Sequence, residues 1–301
     1  MQLDKKQLEV INYLDNLLVI AGAGTGKTFC ITKKIEYLKN NYNALDSDFL
    51  VVSFTNESVD DLKKKLNNID IFTFHKLALN IIPQNKYKLC NEYLLNYVIN
   101  EYFDSFITKK EKRKLLFFFW EYNYNSLLQN NNFIGFKKII FTYIKLIQCN
   151  NLDLEYLKNI YKSEKNLLFI TIIIKIYLIY KKEKEAQNVI DLDDLIIIAS
   201  KINKTFKYKY IFVDEFQDTS LIRFNLIYNI YIHSNSKLYL FGDDYQSIYH
   251  FSGCNLNIML DIKKYIPNIK FITLDKTFRN SQELITVANK FIMKNKKQIS
   301  K

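Results

Sequence analysis

The chain has 301 residues, 49% of them hydrophobic and 25% charged, which is enough apolar material for one large or two ordinary buried cores. A formal net charge of +12 suits a polyanionic partner such as nucleic acid, although a chain crowded with Lys, Asn, Ile, Tyr and Phe also owes part of that surplus to A/T-rich codons. Neither a membrane span nor a secretion signal is expected: the most apolar stretch, LLFITIIIKIYLIY at 167–180, is shorter than the roughly 20 residues a span needs and is interrupted by Lys175, and MQLDKKQLEV is polar, so a soluble, intracellular and most simply cytoplasmic protein is expected.

In chain order, NLLVIA (16–21) reads as a short apolar strand, followed by a glycine-rich loop that opens a helix. FLVVSF (49–54) and IDIFTF (69–74) read as further strands, and strands separated by helices predict a parallel sheet. From 86 to 188 the pattern turns helical, as in EKRKLLFFFWEYNYNSLL and FKKIIFTYIKLIQ, and LLFITIIIKIYLIY is read as a buried helix. That stretch holds 17 Lys and Arg against 10 Asp and Glu, more than half of the excess charge on a third of the length. Strands return at YKYIFVDE (208–215), KLYLFGD (237–243) and IKFITLDK (269–276), and the basic tail from 294 is expected to fray. The fold class predicted is α/β, a parallel sheet interrupted by an inserted all-helical domain at 86–188. The four cysteines, Cys30, Cys90, Cys149 and Cys254, lie too far apart for a zinc pair or a disulfide framework.

Six glycines occur in all, and Gly22, Gly24 and Gly26 fall within five residues of VIAGAGTGKTF (19–29), with Gly242 and Gly253 bracketing FGDDYQSIYHFSG. A strand that passes through glycines into a helix is the setting of a phosphate-binding loop, although Ala21 stands where the strict pattern has glycine. In it Lys27 would reach the β- and γ-phosphates and the Thr28 hydroxyl would bind Mg²⁺. The apolar strand of YIFVDEFQD ends in paired acids, of which Asp214 would join the Mg²⁺ shell and Glu215 would polarise the attacking water. Together they predict hydrolysis of a nucleoside triphosphate.

With further motifs in the same order, the chain resembles the superfamily 1 DNA helicases of the UvrD/Rep/PcrA type from residue 3 to about 292. The resemblance implies a RecA-like motor domain 1A in two parts, 1–85 and 189–262, a helical domain 1B at 86–188, and the start of a second motor domain, 2A, at 263–301. LDKKQLEVI looks like the motif whose glutamine, here Gln7, bonds the adenine edge, and the loop residues Ala21, Gly22, Ala23, Gly24, Thr25, Gly26, Lys27 and Thr28 take the place of the ATP-binding set. SFTNESVDDLKKKL would present Phe54, Thr55 and Asn56 to single-stranded DNA, and FTFHKLA would present Thr73, Phe74 and His75. VIDLDDLI looks like the segment that returns the chain from the inserted domain, and VDEFQDTS matches the acidic motif through Gln217 and Asp218. In FGDDYQSIYHFSG the family's coupling motif implies that Gln246 senses the γ-phosphate while Tyr249 and Phe251 offer aromatic faces to bases. In LDKTFRNSQELI, Phe278 would stack on adenine and Arg279 would act as an arginine finger.

The chain departs from the family in places. HFSG replaces the usual Gly-Trp-Arg-Gly, so Ser252 lacks a cation and His250 replaces a flexible residue; Phe278 stands where tyrosine is common, and Phe29 where many relatives carry arginine. The resemblance also implies that most of the second motor domain lies beyond this chain, with a completing polypeptide as a partner. The function implied is that of an ATP-dependent DNA helicase or translocase that uses ATP and Mg²⁺ and tracks single-stranded DNA, or DNA with a single-stranded tail, 3′ to 5′ in repair, recombination or replication. Two other readings stay open: a nucleotide-gated single-strand-binding module or inactive half of a split helicase, and a phosphate-loop ATPase unrelated to DNA, which would leave FTN and SIYHF unexplained.

Overall fold

A computed structural model describes residues 3–83, 86–247, 253–279 and 287. The first helix, α1 (Lys5–Asn12), starts on a capping box in which the Asp4 carboxylate accepts from the first turn and Gln7 Oε1 accepts from the Asp4 N–H. Strand β1 (Leu17–Ala21) passes through the glycines into α2 (Lys27–Tyr42), β2 (Phe49–Ser53) into α3 (Asn56–Lys65), and β3 (Asp70–Thr73) into α4 (Phe74–Ile81). The last two helices begin on threonine caps: Thr55 Oγ1 accepts from the Ser58 N–H at 3.1 Å and Thr73 Oγ1 from the Lys76 N–H at 3.4 Å. There follow β4 (Lys88–Leu89), α5 (Tyr93–Glu101), α6 (Lys109–Phe119), α7 (Tyr124–Gln129), α8 (Asn131–Cys149), α9 (Leu154–Ile160), α10 (Glu164–Ala186) and β5 (Val189–Ile190). The chain then runs through α11 (Leu192–Ala199), β6 (Tyr210–Val213), α12 (Leu221–Ser234), β7 (Lys237–Gly242), α13 (Leu256–Leu260) and β8 (Lys270–Leu274).

These elements form two compact units, one built from residues up to Ile82 and most of those from Ile196 onward, the other from Pro83–Leu195 together with Gly253. In the first, six parallel strands are ordered β3-β2-β6-β7-β1-β8. β1 and β2 are buried at every position, as parallel strands covered on both faces must be. Their core joins Leu17, Val19, Val51, Phe212, Phe241 and Ile272 to Ile31 and Ile35 of α2.

β8 pairs with β1 from Leu17–Lys270 to Ala21–Leu274, and Ile272 and Leu274 sit in the first unit's core. Without β8 the edge of β1, the strand that feeds the phosphate loop, would lie open.

The second unit is helical apart from the β4–β5 pair. LLFITIIIKIYLIY is the middle of α10, whose Ile172, Ile173 and Ile176 enter the unit's core, while Lys175 Nζ donates to Glu111 at 2.8 Å. Among the described residues no helix is long and apolar enough to cross a membrane. EKRKLLFFFWEYNYNSLL is not one helix. Trp120 ends α6 in the left-handed region at φ 55°, its N–H donating to the Leu116 and Phe117 carbonyls, and α7 starts afresh on Asn123. Glycine normally fills such a position, because an L-residue there costs roughly 1–2 kcal/mol.

Asp191 anchors a polar cluster inside this unit. Its carboxylate accepts from Lys184 Nζ at 2.9 Å, Gln148 Nε2 at 2.8 Å and Tyr180 OH at 2.9 Å, and caps α11 through the N–H groups of Asp193 and Asp194 at 3.0 and 2.8 Å. Lys184 also donates to Asp194, and Lys145 donates to Asp193 at 3.0 Å.

Candidate nucleotide and nucleic-acid site

Because the six strands are parallel, their carboxyl ends share one edge of the sheet, the edge at which open α/β sheets bind ligands. Across it, in order, lie Thr73–His75 after β3, Phe54–Asn56 after β2, Asp214–Asp218 after β6, Asp243–Gln246 after β7, Gly22–Thr28 after β1 and Asp275–Arg279 after β8.

The phosphate loop is shaped by positive φ at Gly24 (75°) and Gly26 (91°), and by Thr25 folding back so that its N–H and hydroxyl both donate to the Gly22 carbonyl. Segment 275–279 closes over it: the Phe278 N–H donates to the Gly24 carbonyl at 2.9 Å and Thr277 Oγ1 to the Ala23 carbonyl at 2.9 Å. A Cβ on Gly24 would meet Arg279 Cβ at 2.4 Å and Thr277 Oγ1 at 2.7 Å. Gly24→Ala is therefore expected to displace residues 277–279 and strain the loop, weakening nucleotide binding by at least about tenfold in a fluorescent-nucleotide titration.

Lys27 Nζ donates to Glu215 Oε2 at 2.6 Å. Glu215 has φ 50°, a conformation a non-glycine residue holds only when its surroundings fix it. Here Gln217 does so, Nε2 donating to Glu215 at 2.9 Å and to Asp218 at 3.2 Å while Oε1 accepts from the Asp243 N–H at 2.9 Å. Burial and the neighbouring Glu215 push the Asp214 carboxyl up to about 6 against the pull of Lys27, and burial with Glu215 does the same to Asp218.

Gln7 donates through Nε2 to the Thr25 carbonyl at 3.0 Å, so the first helix is tied to the loop. Its other end is tied by Lys34, which composition and motif reading passed over. This fully buried lysine of α2 donates to the carbonyls of Val10 at 3.0 Å, Ile11 at 3.2 Å and Tyr13, and lies 4.3 Å from the centre of the Tyr239 ring. Burial pushes its ammonium down to about 7, and those carbonyls and the ring face favour the proton. The second of two adjacent lysines in a helix gives no sign of such a role.

Toward the β2 and β3 end, Thr55 and Asn56 are exposed, while Phe54 and His75 are half-buried. The Arg223 guanidinium, which the motifs did not single out, covers the Phe54 ring at 4.7 Å. Thr73 serves as a helix cap, and Phe74, 3% exposed, is a core residue with no face open to a base. Tyr249 and Phe251, with His250 and Ser252, lie outside the described residues. Gln246 ends the turn after β7, its N–H donating to the Asp243 carbonyl, and Phe278 and Arg279 are exposed beside the loop.

A family model described as the UvrD/REP helicase N-terminal domain matches residues 3–267. The chain belongs to the UvrD/REP helicase family. Among its curated relatives, an ATP-dependent DNA helicase Rep of Buchnera aphidicola from Schizaphis graminum is 32% identical across 97% of this chain and 44% of its own length. A probable DNA helicase II homolog of Mycoplasma capricolum is 29% identical across 97% of the chain and 41% of its own length. The ATP-dependent DNA helicase PcrA of Leuconostoc citreum is 24% identical across 99% and 40%. This UvrD/REP helicase chain thus spans less than half the length of the relatives it matches, and the α/β fold with a mostly parallel sheet is the one its family model implies.

Proposed function

We propose that the chain forms the nucleotide-hydrolysing part of an ATP-dependent DNA helicase or translocase that works on single-stranded DNA. The observation that carries the reading is the 2.6 Å contact between Lys27 and Glu215, which brings the phosphate loop and the acidic pair together on the edge that also displays Thr55 and Asn56. In this reading Lys27 exchanges Glu215 for the β- and γ-phosphates, and Glu215, released, orients the attacking water. Gln7 and Phe278 hold the adenine, the backbone of 22–28 cradles the phosphates, and Arg279 meets the charge that develops at the γ-phosphate. Gln246 reports the γ-phosphate to the aromatic pair Tyr249 and Phe251. Translocation 3′ to 5′, a role in repair, recombination or replication, an intracellular setting, division into domains 1A, 1B and 2A, and a completing second motor domain on a partner polypeptide belong to the same proposal.

The donors fit Mg²⁺. Thr28 and Asp214 offer a hydroxyl and a carboxylate, hard oxygen ligands of the kind this ion takes alongside nucleotide phosphates, and the Asp214 carboxyl is buried beside Glu215. Among the described residues no larger cluster of His, Cys, Asp and Glu competes for a metal. Bound there, the ion would neutralise phosphate charge.

The test is steady-state phosphate release from ATP, with and without single-stranded DNA, by the wild-type chain and Glu215→Gln. DNA-stimulated release by the wild type, falling about 10²-fold or more in the variant, is expected. Binding of nucleotide and DNA with no turnover in the wild type would instead favour the gated binding module or the half of a split enzyme. Turnover indifferent to DNA would leave an ATPase of another kind.

A further inference from the structure

We infer that the outward face of α6 and the turn at its end form a second contact for single-stranded nucleic acid, a stacking platform flanked by cations and separate from the sheet edge. Lys109, Lys110, Arg113, Phe117 and Trp120 are all exposed and fall within an arc of about 100° on the helical wheel. The opposite face carries Glu111 and Leu115 into the unit's interior, so this arc is fixed outward. Phe117 is 71% exposed and Trp120 87%, and their rings lie 6.4 Å apart with 25° between the planes, a near-parallel pair. Tyr122, two residues on, is fully exposed.

Trp120 distinguishes this surface from the scattered exposed aromatics of a Phe- and Tyr-rich chain. It is the only tryptophan, and it occupies a left-handed position that glycine would fill without strain. Burial returns nothing for that strain, since the ring stands in solvent. Large exposed apolar patches mark interaction sites, and the chemistry here selects the partner. Cations one and two turns before the ring pair suit a phosphate backbone, and open ring faces suit bases that are not already stacked in a duplex. The residues involved are distinct from the nucleotide and strand-contact residues proposed above, so the two readings fail separately.

The sole tryptophan supplies the readout. The full chain is titrated with oligothymidylate while Trp120 fluorescence and the anisotropy of a labelled oligothymidylate are followed together. Quenching of Trp120 with the same affinity as the anisotropy change is expected, weakening steeply as salt rises. Trp120→Gly should leave thermal stability equal or higher, because it relieves the left-handed turn, yet weaken binding by about tenfold or more, with Trp120→Asn as a second variant of the same kind. Arg113→Ala should lower the salt slope by about one unit. Strand binding with unchanged Trp120 fluorescence and unaltered affinity in Trp120→Gly would overturn this inference and leave the helicase reading standing. No strand binding at any salt would overturn both. Shielding of Trp120 from acrylamide as the protein is concentrated without DNA would assign the face to a protein interface instead.

Discussion

Lys27→Ala should abolish ATP hydrolysis, by about 10²–10³-fold or more, and leave single-strand binding within a few-fold of wild type. The lysine bonds Glu215 directly and pulls on Asp214 and Asp218, which burial and Glu215 raise to about 6 even against that pull. Its loss removes the phosphate ligand and also leaves those acids to repel one another at the place where a triphosphate must enter. Nucleotide affinity should therefore fall together with turnover. Glu215→Gln separates the two effects, because it frees Lys27 while keeping the hydrogen bond geometry near Gln217. That variant should bind nucleotide as tightly as wild type or more so, with turnover lost. Equilibrium binding of a fluorescent ATP analogue beside phosphate release distinguishes the pair, and equal affinity in both variants would refute the exchange of Lys27 between acid and phosphate.

Asp191→Ala should be the most damaging single change to the helical unit, costing about 3–5 kcal/mol. It strips Lys184 and Gln148 of a buried acceptor and uncaps α11 in one step. Burial opposes ionisation of Asp191, but the ammonium groups of Lys145 and Lys184, the Asp194 N–H and Gln148 outweigh it and hold the carboxyl down at about 2, against 3.8 ordinarily. A carboxyl depressed on folding stabilises the native state above the ordinary value and loses that contribution as pH falls toward the depressed one. About 2 kcal/mol should thus be present at pH 5 and vanish between about pH 4 and pH 2. Urea unfolding as a function of pH, with amide exchange in α8 and α10, measures both effects. In Asp191→Ala the acid-dependent loss should shrink, and an undiminished slope would place the titration elsewhere.

Much of this was readable because parallel strands buried on both faces leave unbroken apolar runs, and because loops that bind phosphate need glycine where the rest of the chain avoids it. NLLVIA, FLVVSF and KLYLFGD each yield a strand within a residue or two of the quoted run. What escaped depended on contacts that no short window contains. IKFITLDK reads equally well as the last strand of one sheet or the first of another, and only its pairing with β1 decides. FFFWEY keeps a helical pattern through the position where the backbone turns left-handed, since Trp120 is not a residue type that signals such a turn. Phe74 follows an apolar strand in a motif associated with strand contact, yet it is buried as the first residue of α4. Lys34 and Arg223 act through partners more than 20 and 160 residues away in sequence respectively, and nothing local to either announces it.

Gln217 makes the acids after β6 and the turn after β7 mechanically one body, with its amide oriented by an acceptor demand on one side and two donor demands on the other. Such a joint carries work in both directions. If occupation of the phosphate loop shifts the turn that holds Gln246, any ligand that moves that turn must change nucleotide affinity by the same free energy, whichever binds first. A residue with no part in bond breaking would then set the size of that exchange.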